Sequence, residues 1–503
     1  MNKLWSVLAG VALLVPATAP AQLHSVASAN APRFALPRSV AGIDAVVRDQ
    51  MHRRAIPGMQ VAVIRSGRVV YNKAFGIADL ETQAPVTPRT VFTLNSATKS
   101  FTGVAVMQLV QDGKLSLADP IGRYLPDLPP TWRRITVAQL LAHLSGLPDV
   151  LIQPKGQGTG SLVGNGDEVS AWAAVQKMPF QSPTGTRFSY NQTNYVLLGK
   201  LIDRVSGVPF QRFIEERQFA PAGMRVAAFG DGRDLMPGRA RTYRYRGGAV
   251  QGQTRAVEHA WDEFSPFMRT AGGLNASASD VANWLIALAD DTLLTPASRR
   301  TLWSPGRFNN GRAGPWAMGW PVSDHGGHQV AAGIGGRRSA FFVYPHDDLA
   351  VVVLTNLAGA NPEEFIDEIA GQFLPDLLTA NGGGLPLPVK RLRAALIADG
   401  FANPKRTYDR LSRAPGFVVS EDDLNSWGGM LLDSGEARQA VAVFGLAVAL
   451  HPDSANALDS LAIGYEAAND RPSAIANYQA SLRRDPGNDH AIGRLAVLKE
   501  QAQ

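Results

Sequence analysis

The sequence predicts an α/β domain with a largely antiparallel sheet flanked by helices and an inserted helical region, followed by an all-α tail. Two strand-like segments joined by a short turn occur near the start, at 59–64 and 69–75, and a matching pair occurs far downstream, at 339–344 and 349–354. The sequence between these pairs is mostly helical in pattern. The end of the chain repeats itself with a period of 34 residues.

Composition excludes several classes of protein. The chain has 503 residues, of which 45% are hydrophobic and 18% are charged, so it can bury large cores and is not disordered as a whole. It contains no cysteine, which excludes disulfide bonds, thiolate metal ligands and cysteine catalysis together. The net charge of +6 is small for this length and does not by itself indicate nucleic-acid binding.

The first residues have the pattern of a secretory signal peptide, which we assign to residues 1–21. Lys3 supplies a positive start, Leu4–Val15 is apolar, and small residues offer cleavage sites after Ala19 or Ala21. The alternative is an uncleaved anchor, although the apolar run is short for a span of about 20 residues. No later apolar run reaches that length, so we expect a periplasmic or secreted protein with no stable membrane span.

The predicted α/β domain covers residues 40–375. Gly382–Pro388 has the composition of a linker, so we assign 376–420 to a linker and bridging helices. The repeats occupy 421–503. Eight positions recur with the same offset: Leu424, Trp427, Gly428, Leu431, Ala440, Phe444, Ala447 and Pro452 recur as Leu458, Leu461, Ala462, Tyr465, Ala474, Tyr478, Ser481 and Pro486.

The repeated segment resembles tetratricopeptide repeats, which are helix-turn-helix units whose small residues let paired helices approach closely. A generic helical hairpin is the alternative. From the resemblance we expect the tail to present a concave surface to a peptide or a neighbouring protein, or to dock on the preceding domain.

The segment that carries chemistry is Ser96-Ala-Thr-Lys99, at the start of a predicted helix. The spacing places the Lys99 amine beside the Ser96 hydroxyl. A helix start also places free N–H groups and a positive dipole near a developing oxyanion. Serine is a poor nucleophile unless a base takes its proton, and a buried lysine with a lowered pKa can do so. The pattern therefore predicts that Ser96 is a nucleophile with Lys99 as its base.

Five segments, in the order in which they occur along the chain, resemble motifs of the serine β-lactamase and penicillin-binding-protein superfamily. The resemblance is to its class C-like branch, which includes esterases and D-amino-acid peptidases. The resemblance covers residues 45–360 and implies a β-lactamase/transpeptidase-like fold and a hydrolase that forms an acyl-enzyme. The matching segments are 92–102, 140–148, 183–199, 268–274 and His325-Gly-Gly327.

The resemblance also implies roles for three catalytic residues. Ser96 would attack the carbonyl and become acylated, and Lys99 would accept or relay its proton. Tyr190 would act as a phenolate or a proton shuttle, with its pKa lowered by the neighbouring lysine.

Further assignments from the resemblance concern the substrate. The backbone N–H groups of Ser96 and His328 would form the oxyanion hole, and His325 and Gly327 would line the substrate carboxylate or the catalytic network. Gln192 stands where the family's Tyr-x-Asn motif has asparagine. This change favours small esters first, then D-amino-acid amides or peptides, over β-lactams.

Competing patterns are weaker. His325-x-x-His328 lacks a third metal ligand in register, and no Gly-x-Ser-x-Gly elbow of an α/β-hydrolase occurs. Arg241–Arg246 alternates arginine with tyrosine and threonine, which could grip nucleic acid, but an exposed strand edge is the interpretation we favour. No cofactor, metal or nucleic acid is predicted. The alternative function is a peptidoglycan- or β-lactam-sensing binding protein that recruits a partner through its repeats.

Overall fold

The computed structural model describes residues 40–151, 168–246, 256–378, 387–414, 417–433 and 436–500. The predicted signal peptide at 1–21 and most of the predicted linker at 382–388 lie outside the described residues.

The strands form one large sheet and two small ones. They are β1 (Gly58–Arg65), β2 (Arg68–Asp79), β3 (Ala84–Pro85), β4 (Phe92–Thr93), β5 (Ala228–Phe229), β6 (Tyr243–Arg246), β7 (Ala256–His259), β8 (Leu274–Ala276), β9 (Val322–His325), β10 (His328–Gly335), β11 (Ser339–Tyr344) and β12 (Leu349–Thr355). Seven of them form an antiparallel sheet in the order β3-β2-β1-β12-β11-β10-β9. The small sheets are β4-β8-β5 and β6-β7.

The large sheet joins strands from both ends of the α/β domain, as the sequence predicted. β1 lies antiparallel to β12, with Met59 opposite Thr355 and Arg65 opposite Leu349. β12 is buried along its whole length, which explains why it is a continuous apolar run rather than an alternating one.

Helices cover both faces of this sheet. Val352 of β12 packs in a cluster with Phe101, Leu198 and Trp284, whereas the next residue, Val353, packs on the opposite face. The helices of the α/β domain are α1 (Val40–Arg54), α2 (Thr98–Gln111), α3 (Val137–Leu141), α4 (Glu168–Val175), α5 (Gln192–Ser206), α6 (Phe210–Ile214), α7 (Ala220–Ala222), α8 (Arg269–Gly272), α9 (Ala278–Ala289), α10 (Pro296–Leu302) and α11 (Ile366–Ala370). α2, α5 and α9 lie on the first face, and α1 and α11 lie on the second.

The arginine-rich segment forms a strand, in agreement with the interpretation we favoured. β6 pairs with β7, and Arg244 Nε lies 2.6 Å from Glu258 Oε1. Arg241 Nε lies 3.1 Å from Asp79 Oδ2. Both arginines therefore have acidic partners within the chain.

The tail is all-helical, as predicted. Its helices are α12 (Leu387–Asp399), α13 (Pro404–Leu411), α14 (Glu421–Asp433), α15 (Ala437–Leu450), α16 (Ala455–Ala467), α17 (Arg471–Arg484) and α18 (Asp489–Glu500). The starts of α14, α16 and α18 follow the 34-residue period of the sequence. A Cβ built on Gly428 would lie 2.2 Å from the Phe444 ring, so glycine is what lets α14 and α15 approach closely.

The helices that we assigned to a bridge, α12 and α13, pack with the predicted repeats and therefore belong to the tail. Val389 and Leu392 of α12 share a buried cluster with Trp427 of α14 and Val443 of α15. α12 and α13 therefore form a further helical pair next to the predicted repeats. Among the described residues, no helix has both the length and the apolar character needed to cross a membrane.

We expect a chain truncated after Gly382 to fold and to keep its thermal unfolding midpoint. The buried apolar clusters of the α/β domain end at Leu377 and those of the tail begin at Val389, so neither cluster is cut by the truncation. Circular dichroism and differential scanning calorimetry of the truncated and full-length proteins would check this. A truncated domain that loses its cooperative unfolding transition would show instead that the tail docks on the α/β domain and stabilises it.

Candidate active site

Ser96 lies at the N-terminal end of α2. It belongs to a turn of 3-10 helix, Asn95–Ala97, that continues directly into α2. The Thr98 hydroxyl holds the turn in place, because it donates to Asn95 O at 2.6 Å and accepts from Leu274 N at 3.1 Å. Ser96 is partly exposed, whereas the first three turns of α2 behind it are buried. The hydroxyl is therefore fixed at the end of a buried helix and open to a substrate.

Lys99 is the base that the geometry offers to Ser96. Its Nζ lies 3.3 Å from Ser96 Oγ and donates to Ala271 O at 2.7 Å. The side chain is completely buried, and this burial lowers the pKa of Lys99 to about 7, although the charge of Asp149 acts in the opposite direction. Near neutral pH a large fraction of Lys99 is therefore an uncharged amine that can accept the serine proton.

Tyr190 joins this cluster, but its ionisation differs from the prediction. Lys99 Nζ lies 4.8 Å from the centre of the Tyr190 ring. Tyr190 as a whole residue is 37% exposed, but its phenol end is buried. There the phenol lies close enough to Ser96 and Gln192 to interact with both. Burial raises the pKa of Tyr190 and outweighs these hydrogen bonds, and Asp149 raises it further. The lowered pKa that we predicted is wrong: Tyr190 is a neutral phenol at neutral pH.

His143 supports the segment that carries Tyr190. Its Nδ1 accepts from the backbone N–H of Asn191 at 3.1 Å, and its ring centre lies 4.5 Å from that of Tyr190. Burial, together with the nearby Lys99, holds the pKa of His143 well below its usual value, so the imidazole is neutral. His143 is therefore a structural histidine that positions Tyr190.

Asp149 is a residue of the site that the sequence analysis did not assign. Its Oδ2 accepts from the Gln192 N–H at 3.2 Å, and its Oδ1 accepts from the Leu151 N–H at 3.0 Å. The carboxyl is buried, which raises the pKa of Asp149, and its charge acts on Lys99 and on Tyr190. The sequence feature that could have identified Asp149 is its position immediately after the Ser-Gly-Leu-Pro turn.

We expect turnover to rise with pH through about 7, because only uncharged Lys99 can accept the serine proton. In Asp149→Asn this midpoint should move to lower pH, since the aspartate charge raises the pKa of Lys99. The measurement is kcat/KM against pH for both proteins. Asp280→Asn is a matched control, because the Asp280 carboxylate also accepts two backbone N–H groups, from Arg225 and Val226. An unshifted midpoint in Asp149→Asn, or an equal shift in the control, would contradict the assignment.

The structure does not bring His325, Gly327 and His328 to Ser96. His325 and His328 face each other across the turn between β9 and β10. The opposite end of β10, at Gly335, adjoins the serine, because a Cβ built there would lie 2.8 Å from Ser96 N. β10 rises about 3.3 Å per residue, so the His328 N–H is roughly 20 Å from Ser96. The assignment of these three residues to the substrate site and oxyanion hole is therefore wrong.

The open end of β10, rather than His328, adjoins the turn that carries Ser96, because a Cβ built on Gly336 would lie 2.5 Å from the Asn95 side-chain amide. Gly335 O accepts from Arg338 N at 3.0 Å, on the side of β11. In a trans peptide the N–H points opposite to the C=O, so the Gly336 N–H points away from β11, towards the open edge of the sheet. The sequence feature that could have identified this strand end is Gly333-Ile334-Gly335-Gly336, since glycines in a strand mark sites where another backbone approaches closely.

Comparisons with known proteins agree with the fold described above. Residues 43–373 match the family model described as Beta-lactamase. Protein Flp of Staphylococcus aureus is 24% identical over 350 residues, which are 66% of this chain and 66% of the Flp chain. The octameric penicillin-binding protein homologue from Pyrococcus abyssi has a TM-score of 0.56 and 26% identity, covering 70% of this chain and 81% of that chain. SurE has a TM-score of 0.54 and 27% identity, covering 69% of this chain and 78% of that chain, and a structure of SurE with D-Leu is also similar.

Proposed function

Because the chain belongs to the β-lactamase family, we propose that it is an exported serine hydrolase that forms an acyl-enzyme on Ser96. The observation that carries this proposal is the contact of 3.3 Å between Ser96 Oγ and the Nζ of a completely buried Lys99. Burying a lysine lowers the stability of the fold. A buried lysine beside a partly exposed serine therefore indicates a catalytic pair rather than a structural contact.

In the first step, the uncharged Lys99 amine takes the proton of Ser96, and Oγ attacks the substrate carbonyl carbon. The carbonyl oxygen becomes an oxyanion at the N-terminal end of α2. The Ser96 N–H and the outward N–H of Gly336 are its donors. Fixed donors of this kind stabilise the tetrahedral intermediate, at about 3–4 kcal/mol for each donor.

In the second step, the leaving group needs a proton. Tyr190 is a neutral phenol beside Ser96, so it can donate its proton to a departing alkoxide or amine and recover one from Lys99. Water then attacks the acyl-enzyme with the same groups in reversed roles. The products are a carboxylic acid and an alcohol or amine.

Small neutral esters are the substrates that this site suits best. Gly333 and Gly335 occupy the end of β10 beside Ser96, so this part of the strand offers no cationic side chain for a substrate carboxylate. Arg338 lies near this end of the strand but donates to Asp262 and, with the Asn95 amide oriented towards it, to Asn95. D-amino-acid amides and peptides come second, supported by the similarity to SurE, which has been crystallised with D-Leu. β-Lactams come last.

The alternative is a sensing protein that becomes acylated without turnover and recruits a partner through its helical tail. The specific observation in its favour is the tail itself, in which α12–α17 form three successive helical pairs. Stacked pairs of this kind present extended surfaces to peptides and proteins.

The test follows intact mass and product release with p-nitrophenyl acetate, D-alanine p-nitroanilide and benzylpenicillin. We expect the ester to turn over fastest, with a transient acetyl adduct on Ser96 and no turnover above background in Ser96→Ala. Undiminished turnover in both Ser96→Ala and Lys99→Ala would contradict the proposal. A stable penicilloyl adduct without turnover of any of the three compounds would establish the sensing alternative.

A further inference from the structure

A second serine, remote from Ser96, contacts a histidine that is held by an aspartate. Ser323 Oγ lies 2.9 Å from His325 Nε2, and His325 Nδ1 lies 2.9 Å from Asp367 Oδ2. Tyr344 donates its hydroxyl hydrogen to the other oxygen, Asp367 Oδ1, at 2.5 Å. These contacts reproduce the order of groups in a serine–histidine–aspartate triad.

The three residues also differ in burial as the members of such a triad do, with an exposed serine and a buried aspartate. His325 and Asp367 are buried, with side-chain exposures of 8% and 3%, whereas Ser323 is exposed on the edge strand β9. Ser323 faces Val330 of β10, and Val330 is five residues before Gly335, which adjoins Ser96. At about 3.3 Å per residue the two serines are roughly 15 Å or more apart. Ser96 and its partners therefore do not act on Ser323.

The hydrogen bonds assign the proton positions. An ionised Asp367 can only accept, so in a neutral His325 ring the Nδ1 carries the hydrogen towards the carboxylate and the Nε2 lone pair faces the Ser323 hydroxyl. This is the tautomer in which histidine can act as a general base towards serine. Packing on the sheet face keeps the ring in place, since it lies 5.7 Å from the Phe342 ring, centre to centre.

The edge of the sheet supplies a donor for an oxyanion. Val322 N donates to Pro315 O on the side of β9 that faces away from β10. Alternate residues of an antiparallel strand direct their N–H groups to the same side, so the Asp324 N–H also points away from β10. The N–H that follows Ser323 therefore lies at the open edge, next to the hydroxyl.

We propose that Ser323 is a second nucleophile, activated by His325 and Asp367, that accepts acyl or phosphonyl groups from small activated electrophiles independently of Ser96. With a fluorophosphonate, Ser323 Oγ forms a bond to phosphorus, the P–F bond breaks, fluoride leaves, and the serine proton moves to His325 Nε2. With an activated aryl ester, Oγ bonds to the carbonyl carbon, the aryloxide leaves, the serine proton again moves to His325 Nε2, and the acyl group is held on Ser323. Because the Ser323 hydroxyl is exposed, such electrophiles can reach it without entering an enclosed pocket.

The test treats the full-length Ser96→Ala protein with a fluorophosphonate and maps the adduct by mass spectrometry. We expect one adduct on Ser323, which is absent from Ser96→Ala/Ser323→Ala. In Ser96→Ala/His325→Gln the labelling rate should fall by about 100-fold, the usual contribution of a general base. Folding of the His325→Gln change is checked by circular dichroism and by the thermal unfolding midpoint, which should match those of Ser96→Ala.

Two results would overturn the proposal. One is a Ser96→Ala protein that shows no adduct on Ser323 after prolonged treatment. The other is labelling of Ser323 at the same rate with and without His325. A loss of Ser96-dependent turnover in His325→Gln would show that His325 acts in the Ser96 site. The two serines would then not be independent, and the proposal would be overturned.

Discussion

Replacing Lys99 with methionine is expected to abolish hydrolysis and, at the same time, to raise the thermal stability of the protein below pH 7. Lys99 is completely buried, and its pKa falls from 10.5 to about 7 because burial disfavours the charged form. A shift of this size corresponds to roughly 4–5 kcal/mol of unfavourable free energy when the amine is charged. Methionine fills a similar volume without a charge.

The pH dependence of this gain has a definite sign. The folded state binds the Lys99 proton less tightly than the unfolded state, so the destabilisation is complete below pH 7 and disappears as the pH rises towards 10.5. The variant also loses the donor to Ala271 O, which costs about 1–3 kcal/mol. We therefore expect a net gain of a few kcal/mol at pH 6 and a small net loss at pH 10, where the cost of the lost donor outweighs what is left of the charge penalty.

Calorimetric unfolding at several pH values, with ester turnover, measures both effects. Lys114→Met is the matched control, because Lys114 is exposed and its replacement should change neither the stability profile nor the turnover. A Lys99→Met protein that is less stable than the natural chain at pH 6 would show that the lysine is a structural residue. Retained turnover would show that Ser96 has another base.

The sequence predicted the parts of the fold that depend on local patterns. The two strand pairs at 59–75 and 339–354 were recognisable because β-branched runs and short turns determine hairpins locally. Their pairing through β1 and β12 could be inferred from topology, since a sheet built from both ends of a domain must join them. Ser96 and Lys99 were predicted for the same reason, because three residues along one helix fix their contact.

The third part of the site could not be predicted in this way. His325-Gly-Gly327 matched a short motif, but two glycines after a polar residue also suit a tight turn, and both have positive φ values here, 69° and 96°. The glycine that meets Ser96 is Gly335, and only the distance between two remote segments identifies it. A motif of three residues does not distinguish a glycine that is needed for a turn from a glycine that is needed for a close contact with another segment.

The ionisation of Tyr190 was mispredicted for a different reason. The sequence places a lysine near the tyrosine, and this favours a lowered pKa. The sign depends on a balance that the sequence does not contain: burial raises the pKa of Tyr190 by more than its hydrogen bonds lower it, and Asp149 adds to the rise. The same balance makes Lys99, rather than Tyr190, the base of the site.

Gly335→Ala is expected to lower kcat by about 100-fold or more, because it displaces the nucleophile. A Cβ at this position would lie 1.9 Å from Leu94 O and 2.8 Å from the N atoms of Ser96 and Ala97. These are backbone atoms, so the conflict cannot be relieved by turning a side chain, and the turn that carries Ser96 must move. A displacement of about 1 Å is sufficient for a loss of this size.

Gly327→Ala distinguishes the two assignments of the third motif. If Gly327 adjoined Ser96, as the sequence indicated, this change would reduce kcat in the same way. In the structure a Cβ on Gly327 meets nothing within 4 Å, and its φ of 96° predicts only a loss of stability of about 1–3 kcal/mol. Ester turnover and unfolding midpoints of both variants therefore decide the matter: a catalytic defect confined to Gly335→Ala supports the open end of β10 as part of the active site, and a defect confined to Gly327→Ala rejects it.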